Sequence, residues 1–272
     1  MMPPPGHDAN LDRAFAQAMK EKRYDATLSE LGESEARWAD RVALTHCLLA
    51  NGRLDLLYQM LDVQKGMLAS SELGGNLLSS TLYYRNENLI RYLTTAGVRL
   101  HAEVLFSIAP YGMDKHFLRF LREQGADPTH LNRQEDSLLH IHARYNGRSE
   151  LVPILIGYGV PLERHNVMGH TALQAACQSW NAPYAKALLF AGADKNVITE
   201  NGATLLHLAC YGIATDDINR PRQHFRTELV ELLLAEGLDP SVPNHDGKTP
   251  LDFARHFGHT NLVALFSSQP VK

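Results

Sequence analysis

Fourteen histidines and three cysteines are the residues of this 272-residue chain whose types suit metal or nucleophilic chemistry. The tightest pair is His140-Ile141-His142. Two residues apart on a helix, the two imidazoles leave on different faces and cannot share one ion. Neither His-Glu-x-x-His nor Cys-x-x-Cys occurs, so the spacings that build zinc sites are absent and no metal is expected. Cys177 and Cys210 would each need a histidine and a polar group converging on the sulfur to act as a catalytic thiol, and nothing local supplies them. There is no Gly-x-Ser-x-Gly elbow and no phosphate-cradling glycine loop; Gly74-Gly75 alone reads as a turn. The densest basic run, Lys20-Glu21-Lys22-Arg23, contains a glutamate and reads as a solvated helix face. The expectation is no catalytic residue and no cofactor. An enzyme stays an alternative only through a site assembled from distant segments, using His142, His165 or His170 with nearby carboxylates.

Composition narrows the classes further. Lys and Arg number 26 against 30 Asp and Glu, a net charge of −4, with 44% hydrophobic residues. That apolar content excludes disorder of the whole chain, and the near-balance of charge leaves no global field to hold nucleic acid or an anionic membrane. Three scattered cysteines, Cys47, Cys177 and Cys210, cannot make a disulfide framework and suit a reducing compartment. No apolar run approaches the ~18 residues of a membrane span. The opening Met1-Met2-Pro3-Pro4-Pro5-Gly6-His7-Asp8 lacks the regions of a secretory leader and reads as a disordered lead over residues 1–9. A soluble cytoplasmic protein is expected.

The elements that position any site show themselves through repetition. Thr171-Ala172-Leu173-Gln174-Ala175-Ala176 recurs as Thr204-Leu205-Leu206-His207-Leu208-Ala209, as Thr249-Pro250-Leu251-Asp252-Phe253-Ala254, and more weakly as Ser137-Leu138-Leu139-His140-Ile141-His142-Ala143. The third position falls at Leu139, Leu173, Leu206 and Leu251, in steps of 34, 33 and 45. A second marker runs in phase: Leu188-Leu189-Phe190-Ala191-Gly192-Ala193-Asp194, then Leu232-Leu233-Leu234-Ala235-Glu236-Gly237-Leu238-Asp239. Thr171 and Thr204 suit helix starts, where a hydroxyl accepts a backbone N–H, and Pro250 suits a first helical position. Leu229, Val230, Leu232 and Leu233 make one apolar stripe, and Gly192 and Gly237 fall just past helix ends.

These motifs resemble the ankyrin repeat, with its period of about 33 residues and its Thr-Pro-Leu-His-x-Ala signature. The resemblance covers Arg133–Phe266, reaches more faintly over Asn76–His130 through Gly125-Ala126-Asp127-Pro128, Leu105 and Gly97, and fades before that. It implies an all-α solenoid of stacked antiparallel helix pairs with outward loops and β-turns. The expected divisions are an N-terminal helical capping region over 10–72, degenerate repeats over 73–130, repeats over 131–268 and a tail over 269–272. Each short pair needs neighbours to bury its apolar face. In such repeats the histidine slot, here His140 and His207 with Gln174 and Asp252 in its place elsewhere, bonds neighbouring loops. Cys177 and Cys210 share a slot normally held by alanine and should face the interior as inert thiols.

Two departures stand out. Residues 213–226 account for the 45-residue step, and such an insertion is either a tolerated surface loop or part of a binding face. Trp180 stands where the repeat usually has glycine; packing under the loop is favoured over an exposed contact.

The resemblance also implies where a partner would touch: the outward loop tips and the ends of the first helices. Residue by residue these are Arg133, Gln134, Asp136, Arg144 and Tyr145; then Val167, Met168, His170, Gln178 and Ser179; then Glu200, Asn201 and Tyr211; then His245, Asp246, Lys248, His256 and Phe257. The mixed charge and the aromatics suit a folded protein partner better than a polyanion, unless the aromatics merely cover loops. The function expected is a non-catalytic protein-binding module, monomeric when unbound, with neither nucleic acid nor membrane as its target. A narrower alternative is an immunity or inhibitor protein that neutralises a toxin, or an effector acting on host proteins, motivated by the compact form without an attached catalytic domain.

Overall fold

The computed structural model describes residues 48–49, 54–63, 72–100, 103–145, 147–211 and 222–268. The expected lead over 1–9, most of the expected cap over 10–72, Lys20–Arg23, Cys47, residues 213–221 of the insertion and the tail 269–272 lie outside them. Among the described residues every regular element is a helix. The chain divides into two compact units, one of residues 1–104 with 120–126 and the other of residues 105–119 with 127–272.

In the first unit, α1 (Leu54–Val63) buries Leu57 and Leu61, α2 (Glu72–Tyr83) buries Leu77, Leu78 and Leu82, and α3 (Glu87–Thr95) buries Leu89, Ile90 and Leu93. The i, i+1, i+4 or i+5 spacing of these residues makes one apolar stripe per helix, and α2 packs on α3. Asn86 starts α3, its side-chain oxygen accepting the Leu89 N–H at 3.1 Å. Gly74 and Gly75 lie inside α2 and are not the turn their pairing suggests. Neighbouring helix formers and the buried leucines that follow outweigh the cost of about 1 kcal/mol that each glycine carries in a helix.

The second unit is where the repeats lie. After α4 (Val104–Ile108), a 3-10 turn η1 (Ala109–Tyr111) and α5 (Lys115–Glu123) come four helix pairs: α6 (Leu138–Arg144) with α7 (Leu151–Gly157), α8 (Ala172–Gln178) with α9 (Ala182–Phe190), α10 (Leu205–Cys210) with α11 (Arg222–Ala235), and α12 (Pro250–His256) with α13 (Thr260–Ser267). First helices stack on first helices, α6 on α8, α8 on α10 and α10 on α12, while α7, α9, α11 and α13 stack in the same order. Leu139, Leu173, Leu206, Leu155, Leu188 and Leu233 are all buried between them. Apolar area is removed from water only where two pairs meet, so each pair depends on its neighbour.

Each first helix opens on the same reciprocal bond. Gln174 Oε1 accepts the Thr171 N–H at 2.9 Å, and Asp252 Oδ2 accepts that of Thr249 at 2.9 Å. His140 and His207 do this with Nδ1, accepting from Ser137 N at 3.2 Å and Thr204 N at 3.1 Å. With Nδ1 accepting, the ring proton sits on Nε2, which donates to the carbonyl of His170 at 2.9 Å and of Lys248 at 2.8 Å. Each histidine therefore pins the next outward loop.

The helix after the insertion begins at Arg222, five residues earlier than the sequence boundary at Thr227. The end of the inserted stretch, Arg222–Arg226, is an extra helical turn in front of the repeat's second helix. The reason is visible at Arg226, which is buried, with its guanidinium 3.6 Å above the Trp180 ring centre and against His259. Trp180 is half-buried and holds φ +55, the left-handed conformation that Gly112 and Gly258 take seven residues after Leu105 and Leu251. Packing, not exposure, decides this position, and the stacked arginine covers the indole face.

Candidate partner-binding surface

The loop tips are built by a marker that lies seven residues before each repeat leucine: Asn132, Asn166, Thr199 and Asn244. Asn132 Oδ1 accepts the N–H groups of Gln134 and Asp136, both at 2.9 Å. Asn166 does the same for Met168 and His170 at 3.0 Å, and Asn244 for Asp246 and Lys248 at 3.1 and 2.9 Å. Thr199 Oγ1 accepts the Ala203 N–H at 3.0 Å. These side chains replace the water that the turn's N–H groups would otherwise need, and so fix the tips. Successive tips are tied by their backbones, Val167 N–H to the Gln134 carbonyl at 2.9 Å and His245 N–H to that of Asn201 at 3.0 Å.

On this frame most of the expected partner residues stand in the open. Arg133, Gln134, Val167, Met168, Glu200, Asn201, His245, Asp246 and Lys248 are exposed at the tips, Met168 by 67%. At the first-helix ends Tyr145 is 53% exposed and Tyr211 51%, with Gln178 and His256 also exposed. His170, Ser179 and Phe257 are half-buried. Phe257 packs edge-on to Tyr211, ring centres 5.3 Å apart, and within 6.2 Å of Phe253. It is a shared wall of an aromatic cluster rather than a free contact.

Asp136 is a correction. It is buried, with Arg144 Nη1 and Nη2 at 3.0 and 3.2 Å from its two oxygens and Asn166 Nδ2 at 2.8 Å. Burial by itself would raise the carboxyl, but the hydrogen bonds from Arg144 and Asn166 and the guanidinium charge outweigh it and hold Asp136 below the ordinary carboxylate range. A lowered carboxylate adds stability above its unfolded value near pH 4 and loses it as pH falls. Arg144, half in solvent, is thereby committed inward. Asp136→Ala should cost about 2 kcal/mol, the upper range being discounted because Arg144 reaches water. Urea unfolding at pH 7 measures it, and a change below about 0.5 kcal/mol would show that the network adds nothing.

Tyr111 was missed by sequence reasoning. It is 68% exposed and stands six residues after Leu105, as Tyr145 stands six after Leu139 and Phe257 six after Leu251. That shared offset was the available signal. Ile198 on an outward loop and Phe190 at the end of α9 are further exposed apolar side chains.

The residues considered for chemistry do not converge. His142 is buried without a polar partner, His165 is exposed, and His170 is half-buried. Among the described residues no three His, Cys, Asp or Glu side chains gather as a metal site requires. Cys177 and Cys210 are buried free thiols, and burial pushes both up, Cys210 to about 12. Neither is a thiolate at neutral pH. No described helix is long and apolar enough to cross a membrane.

Stacked helix pairs with pinned outward loops define a repeat protein, and comparison with known proteins says which. The profile of ankyrin repeats matches three overlapping copies, over residues 105–199, 139–219 and 181–271, and the chain belongs to the ankyrin-repeat family. It is 27% identical over 158 residues to an ankyrin repeat protein of fowlpox virus (strain NVSL), covering 57% of this chain and 44% of that one. An ankyrin repeat protein of Rickettsia bellii is 26% identical over 144 residues, 52% of this chain and 73% of its own. The ankyrin repeat and SOCS box protein 16 of Mus musculus is 32% identical over 130 residues, 44% of this chain and 26% of its own. The chain thus spans less than half the length of the fowlpox and mouse proteins. Repeats of this family generally mediate protein–protein contact and are generally not catalytic.

Proposed function

We propose that the chain is a non-catalytic binding module that captures a folded protein through the loop tips and first-helix ends of its second unit. The observation that carries this is the pairing of exposed apolar side chains with a rigid support. Val167 and Met168 sit on a tip closed by Asn166, and Tyr145 and Tyr211 end helices whose other faces are buried. A side chain held in the open by a fixed backbone loses little freedom on binding, and Tyr and Met are enriched at interfaces. Arg133, Gln134, Glu200, Asn201, His245, Asp246, Lys248, Gln178 and His256 make the mixed polar rim. Polyanions and membranes do not fit a chain of net charge −4. The two buried thiols fit a reducing compartment, taken here as the cytoplasm; the chain is read as a monomer before the partner arrives.

The test is the combined variant Tyr145→Ala, Val167→Ala, Met168→Ala, compared with the wild type as bait in affinity capture from the native cell. The expected result is that a partner retained by the wild type is lost by the variant, about 100-fold or more in affinity, while the urea midpoint moves little. Equal capture by both proteins would remove this face from the interface. Phe257 and Tyr211 are left intact because they pack on each other, and the loss of either would disturb the cluster they wall.

A further inference from the structure

One buried polar group serves neither the repeat's bonding scheme nor the proposed surface. Three residues past each repeat leucine the chain places Ala176, Ala209 and Ala254, but in α6 it places His142. Eight residues past the leucine, just ahead of the second helix, it places Asn181 and His259, but after α6 it places Gly147. The two exceptions belong together. A Cβ on Gly147 would run into His142 Cβ and stand 2.5 Å from its Nδ1 and 2.7 Å from its Cα, so the α6 backbone as well as the ring leaves room only for hydrogen there. Asn181, in the equivalent position, donates Nδ2 to the carbonyl of Ala143 at 3.1 Å. The His142 ring, beside Gly147, makes no such bond. It is fully buried and stacks on Tyr184, ring centres 6.4 Å apart; among the described residues neither ring nitrogen has a hydrogen-bond partner, and nor does the buried Tyr184 hydroxyl.

We propose that His142 is an acid-sensitive latch: protonating its ring breaks the packing of α6 against α8 and α9 and opens the second unit at that helix pair. A neutral imidazole with orphaned nitrogens is tolerated there, whereas an imidazolium has two N–H donors and a charge with nothing to receive them. The surroundings offer no compensation. Among elements packed on α6, η1 carries Tyr111, α8 carries Cys177, α9 carries Tyr184 and Lys186, and α7 carries no titratable side chain. On α6 itself His140 is bonded to Ser137 and the His170 carbonyl, and Arg144 is committed to Asp136. Among the described residues no carboxylate is paired with the ring.

Burial pushes His142 down to about 4 from the ordinary 6.5. For a histidine lowered in the folded state, stability is complete above the unfolded value and falls as pH drops from 6.5 toward 4. A gap of that size weakens closure by about 300-fold at its limit, and by about 30-fold at pH 5. His140, His170 and His207 are lowered too, chiefly by burial, so the slope of the wild type alone does not isolate His142.

The test compares the full wild-type chain with the variant His142→Ala, which removes the ring and leaves Gly147 in place. Native-state amide exchange is read at pH 7.5 and pH 5. The expected result is that the wild-type to variant ratio of opening constants for α6 rises about 30-fold on acidification, while the ratio for α12 stays constant. A constant ratio at α6, or an equal rise at α12, overturns the proposal. Should the variant fail to fold, the wild-type His142 ring is titrated by NMR. No midpoint above about pH 5 supports the latch, and a midpoint between 6 and 7 overturns it.

Discussion

Leu206→Ala lowers the unfolding free energy by about 4 kcal/mol and splits the unfolding of the second unit into two transitions. Leu206 is wholly buried in α10, the helix that packs on α8 before it, α12 after it and α11 within its own pair. Truncating a buried leucine loses its transfer energy and leaves a cavity, a combined cost of about 2 to 5 kcal/mol. The upper half of that range applies because three separate packing partners border the site, and pinned helices collapse poorly into a void. In an array whose units are stable only through their neighbours, weakening one junction frees whatever lies beyond it. The α12–α13 pair, deprived of α10, unfolds at lower urea than the α6–α9 block. Phe190→Ala is the matched control. It deletes a larger apolar side chain that is 95% exposed, and should change stability by less than about 0.5 kcal/mol. Urea melts followed by circular dichroism check both. A cost under about 1 kcal/mol for Leu206→Ala, or one unchanged transition, would refute shared stability between pairs.

How much of this was legible follows from where the determining partners lie in the chain. Leu139, Leu173, Leu206 and Leu251 announce the stack because one residue type recurs, at a steady period until the insertion; the first three are buried and Leu251, in the last pair, is half-buried. Asn132, Asn166 and Asn244 were equally legible, recurring in the same steps, yet their role in closing the tips shows only when their bonds are seen. Asp136 was misread as a surface residue because its partners come from eight and thirty residues away, and no local pattern shows a carboxylate being neutralised at that range. The start of α11 was missed for a similar reason. What makes Arg222–Arg226 useful as helix is the stacking of Arg226 on Trp180 in the preceding pair, 46 residues back. Long-range pairs that override a local boundary are invisible to periodicity, which reports only what each segment prefers by itself.

The exchange at Gly147 offers a sharp test, because its cost depends on the residue at 142. In the wild type, Gly147→Asn is destabilising by about 3 kcal/mol or more. Its Cβ would overlap the His142 side chain and approach the α6 backbone, and a packed core answers overfilling with displaced helices and strained rotamers. The backbone offers no excuse for the glycine, since Gly147 is not among the residues at positive φ. Space alone keeps it. His142→Ala removes the ring but keeps the Cβ and Cα that a side chain at 147 also meets, and should by itself cost about 1 to 2 kcal/mol: a cavity penalty, partly offset by removing two orphaned ring nitrogens from the core. In that background Gly147→Asn remains destabilising, by about 1 to 2 kcal/mol, because only the overlap with the ring is relieved. The double-mutant cycle therefore yields a coupling of about 1 to 2 kcal/mol, larger than the few tenths found for residues that do not touch. Urea midpoints of the four proteins at pH 7.5, where His142 is neutral in both folded and unfolded chains, give that coupling free of any titration. Additive effects would mean that the two sites do not share one space.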